Sequence, residues 1–371
     1  MKHYIFYILA IFAAVSCTQK VTDSEIFNGE IKIIDDTVKS IVEMQGKEII
    51  LDGITYGIPA VYDSLLFFHI DNLPDAFYIV FNLKTGKELG YFCPKGQGPG
   101  EVRYIFPINH LYRENGYLKA FLASPYNFIY VEWNISKSIE TGKTVWDFIP
   151  YDWRKKHDSE FPYSHIMRLN DKKFVGRVQP LCLNPDEFCT LSTAPSFEKC
   201  DIYDDTLIKK YPIYKKTLKR EDSNRLFSAF PCVSPDGNKI VQFMTYLWQI
   251  NTINIETGEI VGYRKRNTPD YLYLNNFMES SQKRPLYFIG DAVSNDKYIF
   301  VTNMNGKTIE EYNDDYIVHV FDWKCNVVKK LKISKERKFG CIFLDKVNNL
   351  LYTFSWVTEK IFCYDLNSVG L

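Results

Sequence analysis

Four polar side chains crowd one compact loop, Lys95, Gln97, Glu101 and Arg103, in and just after the run Lys95-Gly96-Gln97-Gly98-Pro99-Gly100-Glu101, which occurs only once. Its glycines would let backbone N–H groups approach an anion, as helix-opening phosphate loops do. Such a loop needs GxxxxGK[ST] followed by a helix, whereas here Pro99 removes one donor and strand-like sequence follows. The loop is therefore expected to be an anchored turn in which Gln97, Glu101 and Arg103 tie neighbouring elements together and Glu101 pairs with Arg103. It also marks the face on which a ligand is expected.

Other chemistry is sparse. The six histidines show no HxxxH or HExxH spacing, and no G-x-S-x-G elbow occurs. Cys93, Cys182, Cys189, Cys200, Cys232, Cys325, Cys341 and Cys363 form no CxxC pair, so no structural zinc site is expected. No catalytic residue, metal or cofactor is assigned. Asp291 and Asp345 could flank an axial ion, but their ordinary role would be to cap a strand or turn. With 45 basic and 45 acidic side chains the chain has no electrostatic footprint for nucleic acid. The basic run from Lys209 to Arg220, with Tyr211 and Tyr214 interleaved, is expected to be a solvated outer strand or loop.

The N-terminus is expected to be a processing signal: Lys2 precedes the apolar run from Tyr4 to Val15, which is too short to span a bilayer. Ala14-Val15-Ser16-Cys17 resembles the lipobox of bacterial lipoproteins. The resemblance implies cleavage before Cys17 and acylation of that residue, anchoring the protein to the outer membrane, on a side the sequence does not specify. Residues 1–16 are then the signal, 17–29 a tether and 30–371 the folded body. In an exported chain Cys182, Cys189 and Cys200 could oxidise, while most thiols are expected to be buried and free.

The elements that must position these residues are short strands. No long helical stripe is present, and the 26 Tyr and 27 Phe suit half-buried pleated surfaces. Two turn types recur. One closes a hairpin through Asp, Asn or Gly: Asp63-Ser64, Asn115-Gly116, Asn170-Asp171, Asp236-Gly237, Asn295-Asp296 and Asn348-Asn349, roughly 50 to 65 residues apart. The other follows a strand ending in Asn or Asp, at Asn82, Asn254, Asp322 and Asp365, with a looser copy at Trp133-Asn134-Ile135-Ser136. Four short strands per unit and six units predict an all-β fold, a six-bladed β-propeller. The segment from Val38 to Leu51 is expected to supply the outermost strand of the last blade and close the ring. In the third unit, around Phe188 to Tyr211, the outer strands cannot be placed from sequence.

The GQGPGE run at Gly96–Glu101, Trp133 to Ser138, Ser234-Pro235-Asp236-Gly237 with Lys239 to Met244, and the ending Phe354 to Leu366 together resemble the TolB-like six-bladed propeller lipoproteins. The resemblance covers residues 35–366 and implies fold and export without supplying catalytic residues. Sialidases are also six-bladed, but their S-x-D-x-G-x-x-W box is not matched at Ser234–Asn238. The expected function is non-catalytic binding of a glycan, a peptide or an envelope protein by a monomer. The alternative is an exported glycan hydrolase or lyase with a pair of axial carboxylates.

Overall fold

The computed structural model describes residues 23–38, 41–53, 55–127, 129–150, 163–169, 172–178, 196–202, 207–215, 227–271, 285–308, 316–333 and 340–371. Helix α1 (Asp23–Ile26) and strands β1 (Glu30–Ile34), β2 (Ile41–Glu43) and β3 (Lys47–Ile49) come first. Blade 1 comprises β4 (Ile58–Tyr62), β5 (Leu65–His69), β6 (Ala76–Asn82) and β7 (Glu88–Pro94). Blade 2 comprises β8 (Leu111–Glu114), β9 (Tyr117–Ser124) and β10 (Ile129–Asn134), then helix α2 (Ile135–Thr141) and β11 (Trp146–Pro150). In blade 3 the strands are β12 (Tyr163–Arg168), β13 (Lys173–Val178), β14 (Ser196–Asp201) and β15 (Leu207–Pro212). Blade 4 holds β16 (Ala229–Val233), β17 (Lys239–Met244), β18 (Gln249–Asn254) and β19 (Ile260–Lys265). Blade 5 holds β20 (Leu286–Ser294), β21 (Tyr298–Lys307), β22 (Tyr316–Asp322) and β23 (Val327–Ile333), and blade 6 holds β24 (Cys341–Asp345), β25 (Leu350–Phe354) and β26 (Ile361–Asp365).

Each blade is an antiparallel meander, and the six sheets form the predicted six-bladed propeller. The middle strands are covered on both faces by neighbouring blades, so they read as continuous apolar runs: Ala76 to Phe81 and Ile240 to Met244 are buried throughout. Six hydrophobic clusters fill the six interfaces. Phe67 of blade 1 meets Trp133 of blade 2 edge-on at 6.0 Å, and Phe68 of blade 1 meets Phe354 of blade 6 at 5.3 Å. Ring closure therefore rests on aromatic contacts of the same kind as any other interface.

The recurrent Asn and Asp have one local job. Asn82, Asn254, Asp322 and Asp365 each accept, through Oδ1, the backbone N–H two residues on, at 2.9 to 3.0 Å. At Asn82, Asn254 and Asp322 that Asx contact folds the link between the third and fourth strand of a blade, and at Asp365 it starts the C-terminal turn after β26. At Asn134 the same acceptor caps α2 instead, taking the Lys137 N–H at 3.1 Å, so blade 2 carries a short helix where blades 1, 4 and 5 turn at once.

β3 pairs antiparallel with β26 and supplies the fourth strand of blade 6, as expected. The preceding chain does more than the sequence indicated. β1 lies parallel on β19 and β2 parallel on β23, as fifth strands of blades 4 and 5. Residues 23–28, read from sequence as tether, belong to the packed body: Ile26 and Phe27 are 0% exposed, and Phe27 bridges to Tyr214. Tyr211 and Tyr214, in the run expected to be solvated, are core residues, because β15 is covered by the next blade. The unplaced strands of the third unit are β14 and β15. Cys93, Cys200, Cys232, Cys325, Cys341 and Cys363 are free thiols, whereas Cys182 and Cys189 lie outside the described residues, as do Cys17, Asn170 and Asp171. Among the described residues no helix is long and apolar enough to cross a membrane.

Candidate functional site

The innermost strands β4, β8, β12, β16, β20 and β24 all run the same way along the axis, and β4, β8, β16, β20 and β24 end in the Asp/Asn/Gly turns. They enclose a cavity of ≈ 500 Å³ to which every blade contributes. The lining includes turn residues such as Pro235, Asp296 and Lys346, and in five of the six inner strands it omits the first residue, β8 with Leu111 being the exception, so the cavity lies toward the turn end of the channel.

At that end the Tyr62 ring is flanked by the Arg113 guanidinium and the Lys346 ammonium, each 5.5 Å from its centroid. Arg113 is paired with Asp63 at 2.7 Å. Arg168 lies 4.2 Å above the Tyr112 ring and pairs with Glu114 at 3.0 Å and Glu132 at 3.6 Å. Lys119 bridges the same two carboxylates, at 2.7 and 2.5 Å, and the Tyr112 hydroxyl donates to Glu132 at 2.7 Å. The Lys119 hydrogen bond, followed by that from Arg168, holds the Glu114 carboxyl below its usual range against an opposing desolvation. These two arginines are thus compensated and serve as fixed walls. Lys346 has no direct ion pair among the described residues, and burial depresses its pKa against the pull of Asp296.

Two imidazoles line the interior. Burial, reinforced by Lys346 and Arg168, pushes His110 down to about 4, and burial with Arg177 pushes His165 down to about 3. Both rings are neutral at pH 7, able to donate from one nitrogen and accept at the other. His110 Nδ1 is buried without a hydrogen-bond partner.

Asp291 is a carboxylate on the cavity lining, and a bulge presents it. Between the pairs Ile289↔Thr302 and Val293↔Phe300, β20 advances four residues while β21 advances two. Gly290, at φ +69°, makes the left-handed step. Bulges of this kind re-aim a side chain. The Asp291 carboxylate is open to the cavity, yet the surrounding strands exclude enough water for desolvation to raise its pKa. The Cys341 thiol is raised too, by burial first and then by the Asp291 charge. Asp345, the other carboxylate singled out from sequence, is a cap. It accepts the backbone N–H groups of Asp63 (3.0 Å), Ser64 (2.8 Å) and Val347 (3.1 Å) and the Asn348 amide (2.7 Å), tying blade 6 to blade 1.

The loop from Lys95 to Arg103 is an anchored turn, held differently from expectation. Arg103 donates to Gln97 Oε1 at 3.0 Å, while Glu101 accepts the Gly98 N–H at 2.9 Å, so Glu101 caps the loop instead of pairing with Arg103. Gly96, at φ +153°, leaves the space that Glu101 fills. Lys95 Nζ donates to the carbonyls of Leu73 (2.7 Å) and Asp71 and sits 4.6 Å over the Phe77 ring. None of the four lines the axial cavity. His110, Arg113, His165, Arg168 and Lys346 escaped sequence reasoning. Their one signal is position, on or immediately beside the first strand of a unit. Among the described residues no group of three or more His, Cys, Asp or Glu side chains could hold a metal ion.

No protein-family model matches the chain, and no significant match occurs among curated proteins. Solved structures do match. One, a member of the DUF4221 family from Bacteroides vulgatus, is 12% identical with a TM-score of 0.56, covering 88% of this chain and 97% of that one. Another, a candidate exported protein from Bacteroides fragilis, is 12% identical with a TM-score of 0.52, covering 91% of this chain and 98% of its own. At such identity the likeness establishes the propeller fold alone.

Proposed function

We propose that this protein is an exported, membrane-anchored propeller that holds a small polar ligand, a portion of a glycan or a peptide, in its axial cavity without transforming it. The observation that carries the reading is the cavity itself: ≈ 500 Å³, walled by all six blades, with aromatic faces and a few convergent polar groups. Sites for small molecules have that size and character. Anchoring through Cys17, residence at the outer membrane and affiliation with the TolB-like propellers belong to the same proposal. They are supported by the lipobox, by ring closure through an N-terminal strand and by likeness to a candidate exported protein. Cys17→Ser is expected to move the protein from the membrane to the soluble fraction.

The hydrolase alternative is not favoured. Glycoside hydrolysis needs two carboxyl groups flanking the bond; Asp345 is taken up as a cap, and Asp296, the other carboxylate on the lining beside Asp291, sits at the turn where its charge acts on Lys346. A thermal-shift panel of glycans, peptides and their monomers tests the binding reading. Stabilisation by at least one compound, with no turnover products, is expected. Turnover, or a panel without any stabilising compound, would contradict it.

A further inference from the structure

The geometry points to Asp291 as the anchor for a protonated primary amine on the ligand of the axial cavity, a statement that rests on the cavity being the ligand site. Three observations converge on this residue. It is displayed by a bulge that inserts two extra residues into β20 next to Gly290, which an ordinary ladder strand would not need. Its carboxylate opens into the cavity, and among the described residues it makes no hydrogen bond or ion pair, unlike Asp345, which is fully engaged. Its surroundings on the neighbouring inner strands, including Cys232, Cys341 and Phe343, offer no countercharge.

A carboxylate in such a place, exposed to the cavity but with no opposite charge or hydrogen-bond donor beside it, is left to take both from a ligand. A protonated amine supplies both, with three donors on a compact cation. A divalent cation fits less well, since it asks for several oxygen ligands that the described residues do not group there. Lys346, at the turn end, disfavours a second cation near the mouth and favours a ligand whose outer part is neutral or anionic. Amino sugars and amino-acid derivatives share this chemistry.

Isothermal titration of the full-length chain in detergent separates the sources and tests the claim. The probes are glucosamine and L-alaninamide, each beside its N-acetylated counterpart, which keeps the shape and removes the charge. At least one free amine is expected to bind at least about tenfold more tightly than its acetylated form, the scale of a hydrogen bond to a charged group. Asp291→Asn is expected to abolish that difference. Because it also removes an uncompensated carboxylate, the unliganded variant is expected to melt no lower than the wild type, which guards against misfolding. Equal binding of free and acetylated probes, or an amine preference that survives Asp291→Asn, overturns the inference. If neutral glycans or peptides bind while no amine does, the amine anchor is wrong and the cavity reading stands.

Discussion

Asp291 and Asp345 are both aspartates at inner strands, and their surroundings give them opposite roles. Asp345 accepts four backbone N–H groups, two of them across the closure between blades 6 and 1, so its charge is satisfied by the fold. Asp291 meets open space. From sequence the cap could be anticipated at both positions, because a carboxylate beside an Asp/Asn turn usually finds backbone donors; the exception depends on a bulge, and bulges leave no mark on residue type. A second group of residues carries a pH signature. Burial pushes His110 down to about 4, and His165 and His319 down to about 3, from an ordinary 6.5. At His319 the nearby Lys330 and Lys265 add to the effect and Asp36 opposes it. Between pH 6.5 and about 4 the unfolded chain takes up protons that the folded chain refuses, so stability present at neutral pH is lost as pH falls through that window. His319 is 4% exposed and its Nδ1 has no partner. His319→Leu should therefore reduce the loss between pH 7 and pH 4.5 by on the order of 2 kcal/mol, at about 1.4 kcal/mol per pKa unit. Denaturant unfolding at the two pH values measures it, and an unchanged loss would refute the assignment.

Among the elements, the N-terminal strap was the least legible. The closing strand could be read because the last unit stops one strand short and an unattached strand-like segment waits at the other end of the chain. β1 and β2 could not, since nothing in Glu30–Ile34 names a parallel partner some 230 residues away. Asp36 pairs with Lys265 at 3.1 Å and Lys330 at 3.3 Å, joining blades 4 and 5 on their outer edge. Asp23 accepts from Arg264 at 2.5 Å and from the Tyr271 N–H at 3.2 Å. Phe27 then stacks 6.3 Å from Tyr271 and meets Tyr214 edge-on. Phe27→Ala should cost about 3–5 kcal/mol, the usual range for a buried phenylalanine. A change below about 0.5 kcal/mol in urea-induced unfolding would mean that the strap is peripheral to the fold. The recurrent Asx turns, by contrast, were visible in sequence because the acceptor lies only two residues from its donor.

For the whole molecule, repeat number and fold class followed from turn spacing, since each blade must bury both faces of its middle strands against its neighbours. The cavity did not, because its lining comes one strand at a time from six distant stretches, and its chemistry depends on which residues share a level along the axis. The glycine-rich loop drew attention by composition, yet its polar side chains are spent on blade 1 carbonyls, on a loop N–H and on each other. The most direct test of the account is a crystal structure of the protein with whichever glycan, peptide or amine stabilises it most. Density within the axial cavity, bounded by the six inner strands and reaching Asp291, is the predicted result. Density on the face bearing Lys95, Gln97, Glu101 and Arg103, with the cavity empty, would contradict it.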